Sequence, residues 1–143
     1  MCGIAGIFGP NGDDSALAQS MASMLKHRGP DGIQSWSEPC QHGGVGLGHT
    51  RLSIVDVAGS TQPLHSDDGC VLVMNGEIYN HQQIRNEERG FAFRTQGDGE
   101  SILAAYAAGR MMYLGFNAWM EYGRSHFGIL FARSSSCVAI VWA

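Results

Sequence analysis

The spacing of apolar and polar residues follows a helical period in some segments and a strand pattern in others, and 20 Gly residues occur along the chain. Residues 70–74 form a continuous apolar run, which predicts a strand buried on both faces. After an expected helix N-cap at Asp14 or Ser15, helical spacing predicts a core-facing stripe of Leu17, Met21, Met24 and Leu25. Further strands are predicted over residues 3–8, 33–37 and 44–47, and further helices over about 80–89 and 100–108.

The composition is that of one folded domain without features of nucleic-acid or membrane binding. The 143 residues are 44% hydrophobic and 15% charged, with a formal net charge of -4, which is too apolar for disorder. No Lys/Arg cluster, no apolar run near the roughly 20 residues of a membrane span and no signal-peptide pattern occurs. The four Cys are widely spaced, which argues against zinc and a disulfide framework and favours a cytoplasmic location.

The most reactive candidate is Cys2, which follows the start Met and precedes the apolar residues of the first strand. A small second residue allows the initiator Met to be removed, and Cys2 would then carry a free α-amine beside its thiol. An α-amine, with an ordinary pKa of about 7.7–8.0, can act as the base for such a nucleophile. Taken alone, a small buried hydrophobe at the start of a strand is the more ordinary interpretation.

Polar residues elsewhere in the chain match what the cleavage of an amide by a thiol requires. Asn75 and Gly76 follow the buried strand and could donate to an oxyanion, although Asn-Gly is also a common turn. Arg51 could clamp a carboxylate with two hydrogen bonds. Glu77 and Asp98 could accept from an ammonium, although an exposed charge or a helix N-cap is the ordinary alternative. Together they match a free amino acid with an amide side chain, and glutamine fits that description.

Several motifs occur in one order along the chain: Met1-Cys2-Gly3-Ile4-Ala5-Gly6, His27-Arg28-Gly29-Pro30-Asp31-Gly32, His49-Thr50-Arg51-Leu52-Ser53-Ile54, Gln62-Pro63-Leu64, Asn75-Gly76-Glu77-Ile78-Tyr79-Asn80 and Gly97-Asp98-Gly99-Glu100. Over residues 1–108 the chain therefore resembles the glutaminase domain of asparagine synthetases. These domains are class II glutamine amidotransferases of the N-terminal nucleophile hydrolase superfamily. The Arg-Gly-Pro-Asp loop resembles the asparagine synthetase branch more than the sugar-phosphate or phosphoribosyl amidotransferases.

The resemblance implies an α+β fold, an αββα sandwich of two antiparallel sheets between helices, which is expected to be incomplete at the C-terminus. It implies that Cys2 is the nucleophile that forms a γ-glutamyl thioester, and that Asn75 and Gly76 form the oxyanion hole. Substrate-binding roles are implied for Arg51 on the carboxylate, for Glu77 and Asp98 on the α-amine, and for the pocket-lining backbone of Leu52, Ser53, Ile54 and Val55. The family's glutaminase part uses no cofactor, and ammonia passes to a synthetase domain that activates aspartate with ATP and magnesium.

Residues 109–143 depart from the family pattern, and we interpret them as an anomalous tail after a partial amidotransferase domain at 1–108. The segment lacks clean periodicity. Shifting the reading frame by one base lets residues 110–113, 117–123 and 124–129 encode the expected family strand, so a frameshift near residues 108–109 is our hypothesis. A divergent tail is the alternative. Loss of central strands would leave unpaired ladder groups.

Two functional classes follow from the sequence. The first is an enzyme that hydrolyses the glutamine amide through Cys2 and supplies ammonia for asparagine synthesis, with its synthetase domain expected to be absent here. The second is a non-catalytic truncated remnant, or a module that binds glutamine without turnover. A class II amidotransferase with another acceptor is a weaker alternative. No nucleic-acid or membrane partner is expected.

Overall fold

The computed structural model describes residues 1–40, 43–53, 59–109, 128–133 and 140–142, which contain ten regular elements. The strands are β1 Gly3–Gly9, β2 Gly32–Cys40, β3 Gly43–Arg51, β4 Leu64–His65, β5 Cys70–Asn75, β6 Gly128–Arg133 and β7 Ile140–Trp142. The helices are α1 Ser15–Met24, α2 His81–Glu87 and α3 Glu100–Ala107. Among these residues no helix is long and apolar enough to cross a membrane.

The strands form two antiparallel sheets. Sheet one has the order β1-β3-β2, with Gly3 opposite Thr50 and Gly32 opposite Arg51, and sheet two has the order β4-β5-β6-β7. The predicted strands in sheet one exist, but they are longer than predicted, and β2 runs on to Cys40. Pro39 lies within β2, which is an edge strand of its sheet and so tolerates proline.

Helix α1 covers the outer face of sheet one through small residues. Its buried residues are Ala18 and Ala22, which lie over Gly46 and Gly48 of β3. A Cβ on Gly48 would come within 2.9 Å of Ala22 Cβ, so glycine lets the helix approach closely. The predicted stripe is wrong at Met24, which is 78% exposed, because this close contact turns the alanines toward the sheet.

The other two helices cover the outer face of sheet two. Alternate side chains of β5 point to this side, and Leu72 and Met74 belong to one apolar cluster with the helices. The remaining buried members of the cluster are Leu64, Cys70, Ile78, Ile84, Ile102, Leu103 and Ala105. This layer therefore fixes α3, and the loop before it, against the strand that ends in Asn75.

A second apolar cluster joins the inner faces of the two sheets. It contains Val45 and Leu47 of β3 and Val71 and Val73 of β5, all at most 3% exposed, with Ile4 and Trp36 packed against them. The layers are thus helix, sheet, sheet and helices, which confirms the predicted α+β fold with two antiparallel sheets between helices. The β5 run is buried on both faces, as its continuous apolar sequence predicted.

The segment that we interpreted as anomalous supplies a strand to the centre of sheet two. Backbone pairing runs from Cys70 opposite Arg133 to Asn75 opposite Gly128, along the whole of β5. The unpaired backbone groups that we expected beside β5 are therefore not observed. An antiparallel ladder is made by backbone N–H and C=O groups, which do not depend on the side chains of the paired segment. The domain bounds at 1–108 and 109–143, and the frameshift, remain predictions.

Candidate active site

The candidate site lies where the layer between the two sheets changes from apolar to reactive side chains. Side chains two residues apart share a face of a strand, so each inward-facing row can be followed to its end. In β3 the row passes from Leu47 to His49 and Arg51, and in β5 it passes from Val73 to Asn75. Cys2 lies two positions before Ile4, on the same side of the chain as this core residue.

These row ends line a pocket of about 160 Å³. That is below the roughly 300–1,000 Å³ of sites for drug-sized ligands, and it suits a small metabolite. Its lining residues are Met1, Cys2, His49, Arg51, Leu52, Ser60, Gln62, Asn75, Gly76, Glu77 and Asp98. The structure thus brings together most of the site residues predicted from the sequence.

The Cys2 thiol is half-buried and held at two points. The backbone N–H of Leu52 donates to Sγ at 3.4 Å, and Sγ lies 3.9 Å from the Leu52 carbonyl. Arg28 Nε donates to the Cys2 carbonyl at 3.0 Å. The sulfur therefore sits beside the backbone that follows β3, at the pocket wall.

The His27-to-Gly32 loop holds the end of β3 in place. A Cβ on Gly29 would lie 2.5 Å from the Thr50 carbonyl, so only glycine permits this packing of backbone on backbone. The Asp31 N–H donates to the Arg51 carbonyl at 3.0 Å, and Asp31 Oδ2 accepts from the Ser53 N–H at 2.7 Å. The loop thus positions Arg51 and Leu52. Ser53 contacts the loop and does not line the pocket, and Ile54 and Val55 lie outside the described residues.

Asn75 and Gly76 form the turn at the end of β5. Asn75 is 8% exposed, and Gly76 has a φ of +150°, a region that residues with a side chain rarely adopt. The N–H of Met74, the residue before Asn75, donates to Gln62 Oε1 at 2.6 Å. Gln62 lies two residues before the short strand β4. Gln62 therefore fixes the last part of β5, and with it the turn.

Glu77 and Asp98 provide the carboxylates of the pocket. Glu77 is exposed, whereas Asp98 is half-buried and accepts from the Ile78 N–H through Oδ2 at 2.6 Å. This bond joins the loop before α3 to the loop after β5. With Arg51 on the opposite sheet, the pocket has a cation and two anions at its rim.

A buried ion pair between Arg85 and Glu100 supports the loop that carries Asp98. Glu100 is 2% exposed and accepts from the Arg94 and Thr95 N–H groups at 2.8–3.1 Å. Arg85 lies 3.6 Å from Glu100 and donates to the carbonyls of Thr95 and Gly97 at 2.9 and 2.6 Å. Glu100 belongs to the Gly97-Asp98-Gly99-Glu100 motif, but its buried ion pair with Arg85 was not predicted from the sequence.

We expect Glu100→Gln to lower the free energy of unfolding by about 3 kcal/mol, because Arg85 would keep its buried charge without an anionic partner. Urea denaturation of wild type and variant measures the loss. Glu87→Gln, on the exposed side of α2, is the matched control and should change stability by less than about 0.5 kcal/mol. Equal, small losses in both variants would show that the buried pair does not support the loop.

His49 is a pocket residue that the sequence argument did not single out as functional, although it belongs to the His49-Thr50-Arg51 motif. It is 1% exposed. Burial, followed by the charge of Arg51, lowers its pKa from 6.5 to about 4, and a hydrogen bond to the Met74 backbone opposes the shift. Its position two residues before Arg51 was the available signal. Ser60 and Gln62 also line the pocket without having been predicted as site residues.

The lowered pKa of His49 predicts a loss of stability in mild acid. The unfolded chain takes up the proton near pH 6.5 and the folded chain only near pH 4, so stability falls as the pH falls through this window. Between pH 7 and pH 5 this difference in the pKa of His49 lowers the free energy of unfolding by about 2 kcal/mol. Urea denaturation at both pH values should show a smaller pH dependence for His49→Asn than for wild type, and equal dependences would contradict it.

The described cysteines do not all behave as the spacing argument predicted. Cys2 and Cys70 are thiols outside any disulfide, but Cys40 is disulfide-bonded. Sequence spacing was a poor guide here because disulfide formation depends on distance in the fold. Within the described ranges no group of three or more His, Cys, Asp or Glu side chains could hold a metal ion.

Comparison with known proteins assigns the chain to a family. The profile of the family described as "Glutamine amidotransferase domain" matches residues 1–126. A putative asparagine synthetase [glutamine-hydrolyzing] of Mycobacterium tuberculosis (strain ATCC 25618 / H37Rv) is 46% identical over 123 residues, which cover 74% of this chain and 19% of the relative.

Two plant relatives give the same picture. The asparagine synthetase [glutamine-hydrolyzing] of Asparagus officinalis is 42% identical over 110 residues, covering 74% of this chain and 18% of the relative. That of Sandersonia aurantiaca is 38% identical over 143 residues, covering 97% of this chain and 26% of the relative. The chain thus spans about a fifth to a quarter of the length of these relatives. By the extent of the profile match and the agreement in fold, the chain belongs to the glutamine amidotransferase domain family.

Proposed function

We propose that this domain hydrolyses the side-chain amide of glutamine through a thioester on Cys2. The observation that carries the proposal is the pocket itself. It collects a thiol, the buried Asn75 with Gly76 after it, a guanidinium and two carboxylates from segments far apart in the sequence. Each group alone has an ordinary structural explanation, but their convergence matches the functional groups of one free amino acid.

The position of Met1 supports an N-terminal nucleophile. Met1 is 58% exposed and also lines the pocket, so an aminopeptidase could reach it. Its removal would leave the α-amine of Cys2 at the pocket wall, next to Sγ. A nucleophile activated by its own amine needs no separate base residue.

The reaction then proceeds in two stages. The amine takes the thiol proton as Sγ attacks the carboxamide carbon, and the resulting oxyanion receives hydrogen bonds from the Asn75 side chain and the Gly76 N–H. The amine returns the proton to the leaving nitrogen, the carbon–nitrogen bond breaks, and ammonia and a γ-glutamyl thioester form. Water attacks the thioester in the same way, which releases glutamate and restores the thiol.

Substrate orientation follows from the charges at the rim. We assign Arg51 to the α-carboxylate and Glu77 and Asp98 to the α-ammonium. The bond from the Ile78 N–H holds the Asp98 carboxylate in a fixed direction. The Leu52 backbone beside Sγ forms one wall of the pocket, and we propose the same role for Ile54 and Val55.

We further propose that the ammonia serves asparagine synthesis from aspartate. The support is the similarity to relatives that are named as glutamine-hydrolysing asparagine synthetases. ATP and magnesium would belong to a synthetase domain, and the glutaminase reaction described here uses neither. A cytoplasmic location fits this role.

Assaying the purified chain for glutamate and ammonia released from glutamine tests the proposal. Release of both products in equal amounts, from material whose intact mass lacks Met1, is the expected result. Binding of glutamine without product would favour the non-catalytic module instead. No binding by folded protein would contradict the assignment of the pocket.

A further inference from the structure

His49 lines the pocket, and its two ring nitrogens differ in their hydrogen-bond partners. A hydrogen bond to the backbone of Met74 favours the charged ring, so the ring donates and the Met74 carbonyl accepts. Nε2 is buried and has no hydrogen-bond partner within the part of the chain that the structure describes. Nδ1 is therefore the atom that donates across the sheets.

The protonation state of the imidazole follows from its burial. A pKa of about 4 makes His49 neutral near pH 7. With the proton on Nδ1, a neutral imidazole has a lone pair on Nε2 and can only accept there. A buried acceptor without a partner is costly in a folded protein, so a donor is expected to occupy this position in the working enzyme.

The remaining groups of the pocket indicate which donor this is. In the proposed function, Arg51 pairs with the substrate carboxylate, the carboxylates of Glu77 and Asp98 with the ammonium, and Asn75 and Gly76 with the amide oxygen. The substrate group without a counterpart is the carboxamide NH2, a donor. Among the described residues that line the pocket, the buried side-chain atom without a hydrogen-bond partner is His49 Nε2, an acceptor.

Building on the proposed function, we propose that His49 Nε2 accepts a hydrogen bond from the carboxamide NH2 of glutamine and thereby selects the amide over the acid. Glutamate would place a carboxylate oxygen, which has no hydrogen to donate, against this lone pair. A site built to hydrogen-bond one group rejects an analogue that lacks it, because its own polar atom is left unpaired. The residue would thus determine specificity, and it would also favour release of the product glutamate.

The two ring nitrogens can be separated by substitution. Asparagine places an amide near the position of Nδ1, so His49→Asn can keep the bond to the Met74 carbonyl while removing the Nε2 acceptor. Glutamine reaches the position of Nε2, so His49→Gln keeps an acceptor there and loses the cross-sheet donor. A residue that acts only by joining the sheets would respond in the opposite order.

The experiment measures binding to the full chain in a Cys2→Ala background, where no turnover occurs. Calorimetric titration with glutamine, glutamate and the γ-methyl ester of glutamate compares ligands that differ at the amide nitrogen. We expect His49→Asn to reduce the preference for glutamine over glutamate by about 10-fold, and the preference over the ester similarly. His49→Gln should keep both preferences within about 3-fold.

Unchanged preferences in His49→Asn would overturn the inference and leave the proposed function intact. Absence of glutamine binding by the Cys2→Ala chain with His49 in place would instead overturn the proposed function, and the inference with it. Should His49→Asn not fold, the ester decides the matter, since equal affinities for glutamine and the ester would overturn the inference. Loss of both preferences in a folded His49→Gln would do the same.

Discussion

Replacing Cys2 with alanine is expected to reduce glutamate release from glutamine by about 10³-fold or more, because the thioester cannot form. The fold should be retained, since Cys2 precedes β1 and its thiol makes only weak contacts with the Leu52 backbone. Alanine also permits removal of Met1, so the α-amine would still be present. Initial rates at saturating glutamine, together with intact mass, measure the effect.

Cys70→Ala is the matched control for loss of a thiol. Cys70 is also a thiol outside any disulfide, but it lies on the helix side of β5, in the cluster that contains Leu72 and Met74. We expect the folded fraction of this variant to keep its glutaminase rate. Comparable activity of Cys2→Ala and wild type would show that another group attacks the amide.

Replacing Asn75 with alanine is expected to lower kcat by about 10²–10³-fold while KM changes little, because an oxyanion donor acts mainly in the transition state. Asn75 lies at the end of the inward row of β5, and both Asn75 and Gly76 line the pocket. Steady-state kinetics over a range of glutamine concentrations separates kcat from KM. Circular dichroism checks that β5 still folds.

Asn80→Ala provides the control with the same change of side chain five residues later. Asn80 is exposed at the start of α2, and its side chain makes no capping hydrogen bond. Its replacement should leave both kinetic parameters within about twofold, as for surface changes that have small energetic effects. A pure rise in KM for Asn75→Ala would mean that Asn75 binds the ground state and does not stabilise an oxyanion.

Local patterns were sufficient to predict the elements that depend on neighbouring residues. The apolar run at 70–74 predicted β5, which in the structure extends by one residue to Asn75. Because this strand depends on residues close in the sequence, no knowledge of the fold was required. The resemblance of the motifs then predicted the αββα layers.

Features that depend on distant contacts were not predictable in this way. The pairing of β6 with β5 joins segments more than fifty residues apart, and the tail sequence has no clear strand period. The burial of Ala22 in place of Met24 depends on a close approach to glycines in β3. Likewise, the acceptor atom of His49 and the Arg85–Glu100 pair acquire their meaning only from the residues that the fold places around them.

The central claim is that Cys2, once it is the first residue, attacks the amide of glutamine. Treating active protein with a diazoketone analogue of glutamine and mapping the adduct by peptide mass spectrometry tests this claim directly. The account predicts one adduct, on Sγ of Cys2, in an N-terminal peptide that lacks Met1. An adduct on another residue, or an active fraction whose N-terminal peptide retains Met1, would contradict it.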